Sequence, residues 1–222
     1  MADFGIILLA AGNASRMGRP KQLLDFGGVP LVRHAAVEAL GSGCAPVVVV
    51  CGAEREAVAE ALAGLPVELA YNERWAEGMG TSIQCGLRQL EASGRGAALA
   101  GMILSLADQP LLDSHTFLNL LAIHRETRQP IVTSEYSGTV GVPVLFTREI
   151  FRQLMALPPA QGCKGVIQRN AALAARMDCP EALADIDTPE DYQRVLAAFV
   201  SRRGPAVTGR ATPPPAEGCP SA

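Results

Sequence analysis

Gly5-Ile6-Ile7-Leu8-Leu9-Ala10-Ala11-Gly12-Asn13-Ala14-Ser15-Arg16-Met17-Gly18-Arg19-Pro20-Lys21 is the stretch on which the fold turns. Residues 5–10 are a continuous apolar run, not an alternating one. That pattern marks a strand buried on both faces, as in a parallel sheet covered by helices. The small residues at 10–12 and Gly18 then allow backbone N–H groups to approach an anion closely. Arg16 and Lys21 add two positive charges. The loop is not the G-x-G-x-x-G dinucleotide fingerprint. Nor is it the G-x-x-x-x-G-K-[ST] phosphate loop, because no Ser or Thr follows the lysine. It nevertheless holds what a nucleoside triphosphate needs: backbone donors and two placed cations.

Working outward, strand and helix patterns alternate. Val47–Cys51, Val67–Tyr71 and Gly101–Leu106 are further strands. Helices are predicted over 30–40, 55–62 and 81–90. Asp113 opens a longer helix, on which Phe117, Leu120, Leu121 and His124 share one face. His124 is read there as a packing residue. Ile131–Ser134 and Val142–Phe146 are strand candidates, followed by a helix over 147–154. Thr188-Pro189-Glu190-Asp191 opens the last helix, with a threonine N-cap, proline in the first turn and acids beside it. Tyr192, Val195, Leu196 and Phe199 form its apolar stripe. The fold class expected is α/β, a Rossmann-like three-layer sandwich with a mostly parallel sheet. Residues 1–200 are read as one domain. Residues 201–222, rich in Arg, Gly, Pro and Thr, are read as a disordered tail. In such sheets ligands bind past the carboxyl ends of the strands.

Composition narrows the function. The 222 residues are 49% apolar, enough for a full core, and carry a formal net charge of −3. No basic field favours nucleic acid, so a polyanion must be met by a few placed cations. No apolar run approaches a membrane span, and no basic leader precedes the first strand; a cytoplasmic location is the expectation. The cysteines at 44, 51, 85, 163, 179 and 219 show no C-x-x-C spacing and read as reduced thiols. Lys21 and Lys164 are the two lysines among 19 cationic residues. Where arginine dominates so strongly, a surviving lysine suggests a need for a compact point charge. Both lie in glycine-containing loops.

The carboxylates follow strands. Asp108 comes directly after residues 101–106, and Gln109 precedes Pro110, so its backbone is biased to extended geometry. Asp185 and Asp187 alternate, so an extended segment would direct one of them to a shared site. Mg2+ prefers oxygen ligands, commonly one or two carboxylates together with phosphates. Asp108 with Asp187 or Asp185 fits that need. Asn72 and Gly78-Met79-Gly80-Thr81-Ser82 lie after the third strand, where a helix entry can present N–H donors to a nucleotide.

These motifs, in order, resemble the MobA-like nucleotidyltransferases, most of all the molybdenum cofactor cytidylyltransferases. The first loop matches Leu-Ala-Ala-Gly-x-x-x-Arg-Met-Gly-x-x-Lys. Residues 72–83, 106–110, 141–146 and 185–192 are similar to the family's later motifs. The resemblance implies catalytic Arg16, Lys21 and Asp108. It implies nucleotide contacts by Ala10, Ala11, Gly12, Asn72, Gly80, Thr81 and Ser82, and favours Asp187 over Asp185 as second metal ligand. Ala11 stands where the guanylyl branch usually has a second glycine, which favours CTP over GTP. Gln109 and Lys164 fall on the acceptor side. At 162–167 the chain departs from the family's Gly-Asp-x-Gly-Ala-Arg: Cys163 replaces an acid and Ile167 a cation. Lys164 is read as supplying the lost charge, and Cys163 is not read as a nucleophile. The implied reaction is Mg2+-dependent transfer of CMP to the phosphate of molybdenum pterin. A molybdenum hydroxylase or its chaperone would be a further partner. Guanylyl transfer, a sugar-phosphate acceptor, or a non-catalytic cofactor carrier are the alternatives; a dinucleotide-dependent oxidoreductase finds no fingerprint.

Overall fold

The computed structural model describes residues 3–12, 20–186 and 188–203. Its centre is β1, Phe4–Ala10, buried along its whole length. On one side β1 pairs in parallel with β2, Val47–Cys51, and β2 with β3, Glu68–Tyr71. On the other side it pairs in parallel with β4, Gly101–Leu106. Beyond β4 lie β6, Thr139–Thr147, β5, Ile131–Tyr136, and β7, Ala174–Asp178. The order is β3-β2-β1-β4-β6-β5-β7. β6 runs antiparallel to both its neighbours, while β5 and β7 are parallel. The expected mostly parallel sheet is therefore present, with one reversed strand.

Helices cover both faces. On one side α3, Met79–Ala92, α5, Phe151–Met155, and α6, Lys164–Arg169, bury Ile83, Leu87, Leu154 and Ile167 against Ile7, Val50, Leu104 and Phe146. On the other side α1, Leu31–Gly41, α2, Arg55–Ala61, and α4, Ser114–Thr127, bury Val32, Ala36, Val58, Phe117 and Leu121 against Ile6, Leu8, Val49 and Ile103. Successive strand residues thus feed opposite cores, which is why residues 5–10 carry no polar alternation. Asp113 caps α4 with a capping box, accepting from Thr116 N at 2.9 Å. His124 closes that helix, its Nδ1 2.8 Å from Gln129 O and its ring edge-on to Phe4, a packing role.

The last helix, α7, spans Pro189–Arg203, so it continues past Ser201, where the tail was expected to begin. Its start is a reciprocal cap: Asp191 N donates to Thr188 Oγ1 and Thr188 N to Asp191 Oδ2, each at 3.1 Å. Val195 and Phe199 join Leu24, Phe26, Leu31 and Ile186 in a separate small core. This cluster seats the segment before α7 against the loop that follows Lys21. Two elements had no expectation: β7, and the short α6 in the region read as an acceptor loop.

Candidate active site

β1 and β4 end side by side. Ala107 N donates to Leu9 O at 3.0 Å, extending their ladder one residue past the strands. Asp108 is therefore delivered to the carboxyl edge next to the β1 exit. Lys21 reaches the same point from a 3-10 turn, Lys21–Leu23, and its Nζ pairs with Asp108 Oδ2. Both side chains are less than a fifth exposed, at 16% and 18%. Two residues 87 positions apart are so brought into one ion pair where β1 and β4 end.

A cavity of about 330 Å³ opens above this pair. Ala10, Ala11, Gly12, Lys21, Ser82 and Asp108 line it, and Trp75 forms a side wall. Six of the residues expected at a nucleotide site thus share one cavity. Arg16 and Asp187 lie outside the described residues.

The neighbouring residues of the second motif do a different job. Asn72 is buried; its Nδ2 donates to Thr81 Oγ1 and Ser82 Oγ, each at 2.9 Å, and its Oδ1 accepts from Arg74 N at 3.0 Å. Thr81 Oγ1 in turn donates to Gly78 O at 2.8 Å. Gly80 N donates to Pro159 O at 2.9 Å, and a Cβ at Gly80 would collide with the carbonyl oxygen of Pro158. Asn72, Gly80 and Thr81 are thus engaged in fixing the start of α3, and Ser82 is the member that faces the cavity.

The second carboxylate segment is held beside the first. Ile186 N donates to Asp108 O at 3.2 Å. Gln109, 2% exposed, turns away from the cavity and donates from Nε2 to Ala182 O at 2.8 Å. Gln109 therefore secures the segment that carries Asp185. Asp185 also helps hold the Tyr136 phenol above its ordinary range, although burial is the larger cause. Lys164 lies elsewhere. Its Nζ donates to Thr139 Oγ1 at 2.7 Å at the rim of a second cavity between β5, β6, β7 and α6.

Asp108 Oδ1 is buried and accepts no hydrogen bond among the described residues. An unsatisfied, buried carboxylate oxygen at a strand end fits a hard divalent cation, whose ligands are oxygens. No group of three or more His, Cys, Asp or Glu that could hold a metal occurs among the described residues. Asp108 would therefore depend on phosphate oxygens and on the 185–187 segment to complete a coordination shell.

Cys163 is 4% exposed, and burial pushes its thiol up to about 12. It packs with Ile167, one helical turn on, in the core beneath α6. The replacement of an acid and a cation by this pair is an i, i+4 apolar contact, not a new reactive group. The five described cysteines are all free. No described helix is long and apolar enough to cross a membrane.

A mostly parallel α/β sheet with a cavity and a lysine–aspartate pair past the carboxyl ends of adjacent strands has its ligand site where such folds place one. The chain belongs to the MobA-like NTP transferase family, whose domain matches residues 6–176. Among its relatives, nicotine blue oxidoreductase of Paenarthrobacter nicotinovorans is 32% identical over 201 residues, covering 86% of this chain and 95% of that protein. The purine catabolism protein PucB of Bacillus subtilis (strain 168) is 30% identical over 207 residues, covering 87% and 96%. Among solved structures, Rv0371c of Mycobacterium tuberculosis H37Rv, in complex with manganese, superposes with a TM-score of 0.69 at 25% identity, covering 88% and 98%.

Proposed function

We propose that this chain transfers CMP from CTP to the phosphate of molybdenum pterin and releases pyrophosphate. The observation that carries the transferase chemistry is the Lys21–Asp108 pair at the floor of the cavity formed where β1 and β4 end. The family match supports the reaction class, and the order of motifs supports the pterin acceptor. The Ala11 methyl at the cavity wall supports the smaller pyrimidine base, a contact of the size that yields about 1–3 kcal/mol of discrimination.

In this reaction an acceptor phosphate oxygen forms a bond to the α-phosphorus, and the bridging oxygen to the β-phosphorus leaves with pyrophosphate. The attacking oxygen is already anionic, so no strong general base is needed. The chain's contribution is position and charge. Lys21 and Arg16 neutralise the leaving phosphates, the 10–12 backbone N–H groups meet the phosphate oxygens, and Ser82 orients the nucleoside. Asp108 and one of Asp187 or Asp185 would hold Mg2+, which would supply charge neutralisation across the phosphates when bound. The manganese complex of Rv0371c supports a divalent cation for this fold.

The P. nicotinovorans relative favours one second reading, an oxidoreductase acting on nicotine blue. Against it stand the absence of a G-x-G-x-x-G turn after β1 and the presence of the carboxylate–lysine pair. Pyrophosphate release with Mg2+, molybdenum pterin and each of the four NTPs separates the readings. Release with CTP is the expected result. Release with GTP alone would overturn the base assignment and keep the mechanism. Oxidation of NADH or NADPH by a dye, with no pyrophosphate from any NTP, would establish the second reading instead.

A further inference from the structure

Gln22 follows Lys21 in the same 3-10 turn and is 5% exposed. Its Nε2 donates to Ala10 O at 2.8 Å and to Gly12 O at 2.5 Å. One amide thus grips two carbonyls of the β1 exit, on either side of Ala11. The C=O and N–H of a peptide unit point in opposite directions because the unit is planar and trans. With the Ala10 carbonyl drawn to Gln22, the N–H of Ala11 in the same peptide unit is turned away from it, and the Gly12 carbonyl is held on the same amide. The intervening Ala11 oxygen lies against Gly52, where a Cβ would stand 2.7 Å from that oxygen and 3.0 Å from Trp75 Cγ. The carbonyls of Ala10, Ala11 and Gly12 are thus all turned into the protein, which leaves the N–H groups of Ala11 and Gly12 to meet a ligand.

The other end of the amide is unusual. Gln22 Oε1 is buried with no hydrogen-bond partner among the described residues. A methionine would fill the same space without burying an unsatisfied acceptor. What glutamine adds here is the pair of donors.

We propose that Gln22 is a positioning residue for the nucleotide: it presets the N–H donors of the β1 exit toward the phosphates and ties them to its neighbour Lys21. The inference rests on the nucleotide reading of the cavity and deepens it. Sequence reading passed over Gln22, because its partners lie 10 and 12 positions back in the chain.

Trp75 is the chain's sole tryptophan and lines the cavity, so its fluorescence reads nucleotide binding without acceptor or turnover. The full chain is titrated with CTP and Mg2+ as wild type, Gln22→Met and Gln22→Glu. Gln22→Met is expected to bind CTP at least about tenfold more weakly, as loss of two donors to backbone carbonyls implies, with a thermal midpoint close to wild type. In Gln22→Glu a carboxylate faces two carbonyl oxygens, and protonation returns one donor. Its affinity relative to wild type should recover as pH falls from about 8 to about 5, since burial and acceptors raise a carboxyl pKa. Gln22→Met should show no such recovery. CTP affinity of Gln22→Met within twofold of wild type would overturn the proposal, as would a pH-independent deficit in Gln22→Glu. Should Gln22→Met fail to fold, the ratio of Gln22→Glu affinity to wild-type affinity across pH decides alone. A wild-type chain that binds no NTP, by fluorescence or by equilibrium dialysis, would instead overturn the nucleotide reading and this inference with it.

Discussion

Lys21 and Asp108 are set apart by their placement. Their pairing puts a point charge and a carboxylate under one cavity, at the edge where two parallel strands stop. Removing the lysine leaves the leaving-group charge with one fewer cation at the moment of bond cleavage. Lys21→Ala should lower turnover by roughly 100-fold or more, by analogy with loss of a single electrostatic donor elsewhere; steady-state kinetics with saturating nucleotide checks it. Cys163 makes the opposite case. Its thiol is buried and pushed up to about 12, so it carries no thiolate at neutral pH. Cys163→Ala should turn over near the wild-type rate, whereas a nucleophilic role would abolish activity. These residues also show what a sequence reveals. Asp108 was legible because it follows an uninterrupted apolar strand, and Lys21 because lysine is so scarce in this chain. Gln22 was not, since nothing local distinguishes a glutamine that grips the backbone from one that meets solvent. Asn72, Gly80 and Thr81 were read as nucleotide contacts, whereas the structure engages them in fixing the start of α3. Their internal hydrogen bonds could only be seen once the 157–161 loop was folded onto α3.

At the scale of elements, the start of α3 depends on a glycine for space. Gly80 lies under the carbonyls of Pro158, Pro159 and Gln161, with no room for a methyl. Gly80→Ala should destabilise the fold by about 1–3 kcal/mol, as overpacking does, and should weaken nucleotide binding as α3 shifts; denaturant unfolding and the Trp75 titration read the two effects. The start of α7 depends on a charge. Hydrogen bonding from Thr188 holds the Asp191 carboxyl below its usual range. Because the folded-state value is depressed, the stability this contributes is present above the unfolded value of about 4 and is lost as pH falls through the folded one. The thermal-midpoint gap between wild type and Asp191→Ala should therefore narrow as pH drops from about 6 to about 2; a gap that widened would contradict the sign. The cap was readable because Thr-Pro-Glu-Asp is a local signal. β7 was not: Ala174-Ala175-Arg176-Met177-Asp178 is short, lies at the sheet edge and lacks β-branched residues. α6 was hidden by its length of six residues and by glycines at 162 and 165.

For the molecule as a whole, the strand order brings the Lys21–Asp108 cavity and the segment of Asp185 to one sheet edge. The β1–β4 junction holds the cavity with Lys21 and Asp108. The second carboxylate segment follows β7 and a 3-10 turn, Pro180–Leu183, and is anchored beside Asp108 by Gln109 and by the Ile186–Asp108 backbone bond. A nucleotide in the cavity and an acceptor beside that segment would meet over Asp108, and this arrangement is the core of the transferase reading. Buried parallel strands made the fold class evident from the apolar runs alone, whereas the reversal of β6 required the pairing itself. The measurement that tests the reading most directly follows the phosphorus atom. CTP labelled at the α-phosphorus is incubated with the chain, Mg2+ and molybdenum pterin, and the products are separated. The account predicts label in a pterin conjugate, unlabelled pyrophosphate, and loss of both in Asp108→Ala. Label remaining in CTP in the wild-type chain, or appearing only as free CMP, would contradict it.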